Sequence, residues 1–195
     1  MTEFLGHYPD VNVRLELTDR SVDLIEEGLD VAIRIGDLAS STVIATHVGA
    51  VRRLVVATPE YLLRRGEPVT PDDLVAHDAI AFAGLDGSER WRFRADKNPI
   101  EVAIRARLIV NTAEAAIDAA LATFGITRVL SYRVADALAD KSLVRLLRAY
   151  ENDPVPVHVL YPQGRYLAPK LRTFLDLAVP QLRRCCERIA HVLGD

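Results

Sequence analysis

The stretch from Val11 to Gly36, VNVRLELTDRSVDLIEEGLDVAIRIG, constrains the fold of this chain more than any other. Val11, Val13, Leu15 and Leu17 alternate with Asn12, Arg14, Glu16 and Thr18, the period of two of a strand with one buried face. Asp19 or Ser21 is placed to cap a following helix whose Val22, Leu24 and Ile25 face inward, and Gly28 to end it. Leu29 to Ile35 is then nearly continuously apolar, as a central strand covered on both faces is. Strand, helix, strand is a βαβ unit, and it predicts a parallel sheet. Ligands of such sheets gather beyond the carboxyl ends of the strands, which puts Arg34, Ile35, Gly36 and Asp37 where a small molecule is held.

A second unit of this kind runs from Arg105 to Ser131. Asn111 reads as a helix N-cap with Glu114 three residues on, the helix Ala113 to Phe124 closes at Gly125, and Ile126 to Leu130 is the strand that follows. That helix is almost all Ala, Ile and Leu, so it is expected to be buried on most sides or packed against a partner. Further strands are read in 43–57, 78–83, 90–94, 101–110, 143–147 and 155–161. Short helices are read at 60–65, after Thr70-Pro71 and at 132–139, and a longer one from Pro169 with Pro180 as a kink. Two βαβ units this far apart predict an α/β protein of two lobes: 1–52, 53–157, and 158–195 returning to the first.

Composition narrows the function classes. Lys and Arg number 24 against 27 Asp and Glu, a formal net charge of -3, which argues against a broad nucleic-acid footprint. The N-terminus has neither a basic nor an apolar signal region, and with two adjacent cysteines, Cys185 and Cys186, a reducing cytoplasm is the expected setting. The five histidines show no metal-ligand spacing, and GxSxG, phosphate-loop and GxGxxG motifs are missing, so neither enzyme activity nor a cofactor is expected. Trp91-Arg92-Phe93-Arg94 suggests base stacking beside basic groups, but alternation in a strand explains it.

The order and spacing of FLGHYPDVNVRLEL, VDLIEEGLDVAIRIGDL, VRRLVVATPEYLLRRG, WRF, RLIVNTAEAAIDAALATFGITRVLSYRVADAL, LVRLL and VPVHVLYPQGRYLAPKLRTFLDL resemble the effector-binding domain of LysR-type transcriptional regulators. The resemblance implies the two-lobed type 2 periplasmic-binding-protein fold, each lobe a βαβ-based sheet flanked by helices, with the ligand cleft between lobes. It also implies a small organic effector, most often an acid or aromatic metabolite, a homodimer or tetramer, and DNA contact only through an N-terminal helix-turn-helix that this chain lacks. The family's first strand, which sits beside those read at Val11 and Leu29, is expected to be missing too, so the chain is read as a fragment, a misplaced start or a stable remnant, with the first lobe the weaker half.

The expected effector contacts are Arg34, Gly36, Phe82, Asn111, Thr112, Ile126 and Thr127. Arg34 is a carboxylate anchor or an ion-pair member; Asn111 and Thr112 are anion donors or simple caps; Phe82 and Ala83 are pocket wall or core; Thr127 is the best polar candidate beside Arg128. The alternative to a regulator domain is a free-standing solute-binding module of the same fold. An enzyme whose turnover depends on Cys185 or Cys186 stands behind both.

Overall fold

The computed structural model describes residues 1–18, 23–38, 43–85, 90–96, 98–163 and 168–194. Along the chain come α1 (Thr2–His7), β1 (Ala32–Ile35), β2 (Val43–Val51), β3 (Arg53–Ala57), α2 (Pro59–Arg65), a 3-10 turn (Pro71–Ala76), β4 (Ala79–Phe82), β5 (Arg90–Ala95), β6 (Asn98–Ala103) and β7 (Ala106–Val110). Then follow α3 (Ala113–Leu121), β8 (Ile126–Leu130), α4 (Ala135–Ala139), β9 (Val144–Leu146), β10 (Val155–Pro162) and α5 (Pro169–Leu193). They form two compact units, residues 1–50 with 155–188, and 51–154 with 189–195.

The first unit corrects the opening expectation. Residues 11–18 form no strand: Leu15 is 61% and Leu17 87% exposed, and no strand among the described residues pairs with them. Period-two alternation makes a strand only where a neighbour takes its hydrogen bonds. The expected helix shrinks to one turn, with Asp23 as its cap: the Asp23 carboxylate accepts from the N–H groups of Ile25 (2.8 Å) and Glu26 (3.1 Å). The proposed caps Asp19 and Ser21, and Val22, lie outside the described residues. Leu24 is buried as expected, whereas Ile25 is 58% exposed. Gly28 does end the turn, at φ +66, with its N–H donating to the Ile25 carbonyl and that of Leu29 to the Leu24 carbonyl, a Schellman closure.

The predicted central parallel strand is a four-residue edge strand. The sheet order is β1-β10-β2, β1 runs antiparallel to β10, and Ile33 is 53% exposed. Continuous apolar character marks burial on both faces only when both faces are covered, and one face of β1 is not. α5 continues unbroken through Pro180. Its Leu171, Leu175 and Ala178 are buried, one face at helical spacing. Phe174 stands edge-on to Phe4 of α1, ring centroids 5.3 Å apart.

The second unit is a five-stranded sheet of order β7-β4-β8-β3-β9 with a separate β5-β6 hairpin. Here the βαβ reading holds: β7 and β8 both pair in parallel with β4, and α3 carries the chain across it. The strand expected over 101–110 is two, β6 and β7, because the chain leaves the hairpin at Ile104-Arg105 to join the larger sheet. Alternation is faithful in β5, where Trp91 and Phe93 are buried and Arg90 and Arg92 exposed. The helix after Thr70-Pro71 is a 3-10 turn whose Asp73 carboxylate accepts from the N–H groups of Val69 and Thr70 and from the Thr70 hydroxyl. α3 buries a single face, Ala113, Ala116 and Ala120, so its apolar composition feeds this core rather than burial all round. It stops at Leu121, not Phe124. The left-handed residue after it is Thr123 (φ +63), while Gly125 is present for space: a Cβ there would lie 2.2 Å from the Asp78 carbonyl oxygen.

Candidate functional site

The parallel strands of the second unit converge on one end. Phe82, last in β4, lies opposite Val110, last in β7, and the Ala83 N–H donates to the Val110 carbonyl at 3.0 Å. β4 stays paired with β8 only at Ala79–Ile126 and Ile80–Thr127, so the strands part before β4 ends. α3 begins at this parting. Asn111 and Thr112 are both exposed there, and Thr112, rather than Asn111, is the cap: its hydroxyl oxygen accepts from the Ala115 N–H at 3.3 Å. An accepting hydroxyl still carries one O–H donor. The first-turn N–H groups of α3 add the partial positive charge of a helix N-terminus.

Two expected contacts lie elsewhere. Ile126 and Thr127 are fully buried, and the Thr127 hydroxyl donates to the Ile80 carbonyl at 3.0 Å. They open β8, and α3 has by then returned the chain to the amino ends of the parallel strands. The residues at the carboxyl end of β8 are Leu130 and those after it, which sequence reasoning passed over. Ser131 is buried with its hydroxyl accepting from the Arg52 N–H at 3.0 Å. Beyond it, Arg133 donates to the Tyr132 hydroxyl at 3.0 Å and pairs with Glu114 in the first turn of α3. Counting to the end of the strand after the helix, not to its start, was the signal that finds them. Phe82 packs with Ala113, Ala116 and Val129 in the core, while Ala83 is exposed. Arg128 is also buried, its guanidinium 5.1 Å from the centre of the Phe93 ring.

In the first unit, Arg34 is half-buried and faces His158 across the β1–β10 ladder. Gly36 closes β1 with its N–H donating to the Pro156 carbonyl at 2.9 Å, and its φ of +123 is open to glycine alone without strain. Asp37 is exposed. The rings of His47 on β2 and His158 on β10 are 5.3 Å apart. Burial, with His47 beside it, holds His158 below the ordinary histidine range, against the opposing pull of Asp37. Burial likewise lowers His77 in the second unit, with Arg65 adding to the effect, while Asp73 and Asp78 oppose it. Burial pushes the Cys186 thiol up, away from the reactive thiolate, and Cys185 is exposed. Among the described residues no cluster of three His, Cys, Asp or Glu could hold a metal ion.

The model of the LysR substrate binding domain matches residues 1–183. The chain belongs to this family. It is 32% identical over 178 residues to the uncharacterized HTH-type transcriptional regulator YhjC of Escherichia coli K12, covering 90% of this chain and 60% of that protein. It is 30% identical over 178 residues to the HTH-type transcriptional repressor PA14_22550 of Pseudomonas aeruginosa, covering 89% of this chain and 56% of that protein. The chain thus spans somewhat over half the length of these regulators. The regulatory domain of AphB in Vibrio vulnificus matches with a TM-score of 0.80 at 27% identity, over 92% of this chain and 89% of that one. The full-length Vibrio cholerae virulence activator AphB matches with a TM-score of 0.80 at 25% identity, over 92% of this chain and 61% of that one. The fold of this LysR domain is the mixed α/β, type 2 periplasmic-binding-like fold of such regulatory domains.

Proposed function

We propose that this LysR substrate-binding domain binds a small organic acid as its effector, with the carboxylate held at the N-terminus of α3. The observation that carries this reading is the exposed Asn111-Thr112 pair at the carboxyl end of β7, where β4 and β8 have parted. Such a parting at strand carboxyl ends is where open α/β sheets take ligands. Thr112 offers a hydroxyl and the first turn of α3 offers N–H groups, while Arg133 compensates the charge of Glu114 in that turn. Phe82 supplies the apolar floor. Arg34 and Gly36 remain proposed contacts in the first unit, tested on their own variants.

In a regulator of this family the bound effector biases the state of an attached DNA-binding domain, which is how effector occupancy becomes a transcriptional signal. Self-association and a cytoplasmic setting belong to the same proposal; no helix among the described residues is long and apolar enough to cross a membrane. The chain is proposed to have no catalytic role, in keeping with relatives that are transcriptional regulators.

The test is a thermal-shift screen of small carboxylates, followed by calorimetry on Thr112→Val, Asn111→Ala and Arg34→Ala. Charge-assisted bonds contribute on the order of 1.5 to 3 kcal/mol each, so Thr112→Val is expected to weaken a bound acid about tenfold or more. An acid whose affinity is indifferent to Thr112 and Asn111 places the site elsewhere.

A further inference from the structure

α5 packs Leu171, Leu175 and Ala178 into the core of the first unit, and where it passes β2 and β10 a pocket of about 240 Å³ remains. Thr46 of β2, Tyr161 of β10, and Leu175, Asp176, Val179 and Pro180 of α5 line it, and all of them belong to the first unit. Among the described residues the Asp176 carboxylate and the Thr46 and Tyr161 hydroxyls make no hydrogen bond or ion pair. Pro180 adds a fourth oxygen, because a proline has no N–H to give to the carbonyl four residues back, which is that of Asp176. The donors close by are committed elsewhere. Gln181, next to Pro180, donates its side-chain amide to the Glu3 carboxylate at 2.6 Å, and the Arg183 guanidinium donates to the His47 carbonyl at 3.5 Å. Arg172, one turn earlier on α5, forms no ion pair with Asp176 among the described residues.

We propose that this pocket binds a small organic ammonium ion. Its N–H groups donate to the Asp176 carboxylate and carbonyl and to the hydroxyl oxygens of Thr46 and Tyr161, and a short apolar stem lies against Leu175, Val179 and Pro180. An ammonium carries donors and no acceptor, the complement of a site rich in acceptors and served by a carboxylate. A ligand carboxylate meets the like charge of Asp176, so this site sorts its ligands in the sense opposite to that of the site at α3. A hard metal ion asks for several oxygen ligands at close range, whereas Asp176 belongs to no group of three His, Cys, Asp or Glu among the described residues, and half of the pocket wall is apolar. The volume lies below the roughly 300 to 1,000 Å³ of pockets for drug-sized ligands, which limits the occupant to a few heavy atoms beyond the ammonium.

The experiment is an NMR titration of the whole chain with n-butylammonium chloride at constant ionic strength, set against sodium butyrate and n-butanol. With the ammonium, saturable amide shifts are expected on Thr46, Tyr161 and the α5 residues flanking Pro180, in the millimolar range suited to so small a ligand. Butyrate and butanol should each bind about tenfold more weakly or worse. Asp176→Asn, a change at an exposed position, should weaken the ammonium about tenfold or more, and Tyr161→Phe about threefold. Glu187→Gln removes another exposed acid of α5 and should leave the affinity unchanged. Shifts that do not saturate, butyrate or butanol binding as well as the ammonium, or an affinity that responds to Asp176→Asn no more than to Glu187→Gln, overturns the proposal.

Discussion

Substituting Gly125 tests how closely the strands of the second unit are set. A Cβ at this position would meet the Asp78 carbonyl oxygen at 2.2 Å and its carbon at 3.1 Å. Carbon-to-oxygen contacts close no tighter than about 3.3 Å, so about 1 Å must be found. The obstacle is backbone that cannot rotate away: Asp78 leads directly into β4, and its carbonyl accepts from the Ile126 N–H at 2.9 Å where β8 begins. Gly125→Ala therefore forces the starts of two core strands apart. Overpacking of this kind costs about 1 to 3 kcal/mol, and weakening the Asp78–Ile126 bond adds about 0.5 to 1.5. A total near 3 kcal/mol is a large share of the stability of a domain this size. In urea, with a slope of about 1 to 3 kcal/mol per molar, the midpoint should fall by about 1 M or more. Gly6→Ala is the control: inside α1, with nothing within 4 Å of the added Cβ, it should be neutral or stabilising. Thr123→Gly should likewise cost little, since relief of the left-handed φ, about 1 kcal/mol, offsets the 3.3 Å hydroxyl contact to Thr58. A Gly125→Ala midpoint within 0.3 M of the parent, or tolerance of Ala at 125 equal to that at 6, would refute the steric argument.

Arg145 forms a bidentate pair with Glu151 (2.6 and 2.7 Å), both side chains largely buried, and donates to the Leu193 carbonyl at 2.9 Å, so Arg145→Ala should cost about 3 to 5 kcal/mol in chemical denaturation. Tyr61→Phe leaves the Asp78 N–H (3.0 Å) and His77 Nδ1 (3.2 Å) without their shared hydroxyl and should cost about 1 to 3 kcal/mol. Because folding holds His77 below the ordinary histidine range, the unfolded chain takes up the proton first. Stability of the second unit is then full above about pH 6.5 and falls as the pH drops below it, and a urea midpoint that is flat from pH 7.5 to 5 would contradict this.

The sequence is most readable where local pattern and tertiary partner coincide. β7, α3 and β8 all find their partner in the nearby β4, which pairs with both strands and packs with the buried face of α3, so periodicity places the three elements correctly even though both helix caps are displaced. Val11 to Leu17 carries an equally good alternation, but strand formation is a property of pairs, and alternation says nothing about whether a pair exists. Gly125 looked like a helix stop because glycine has two uses, a left-handed turn and a close approach, and only coordinates separate them. At the candidate site, the start of α3 at Asn111-Thr112 was legible because a helix cap follows a strand directly in sequence. Tyr132 and Arg133 were not, since their nearness to α3 depends on the direction in which the helix returns the chain. The His47–His158 contact spans strands far apart in sequence and leaves no local trace.

The claim that an acidic effector is held at the carboxyl ends of β4 and β7 is tested most directly by a backbone-amide NMR titration with a small carboxylate that raises the melting temperature. The largest saturable shifts should fall on Ala83, Asn111, Thr112 and the first turn of α3, and Thr112→Val should abolish or sharply reduce them. Saturable shifts confined to other parts of the chain, unchanged in Thr112→Val, would contradict the account.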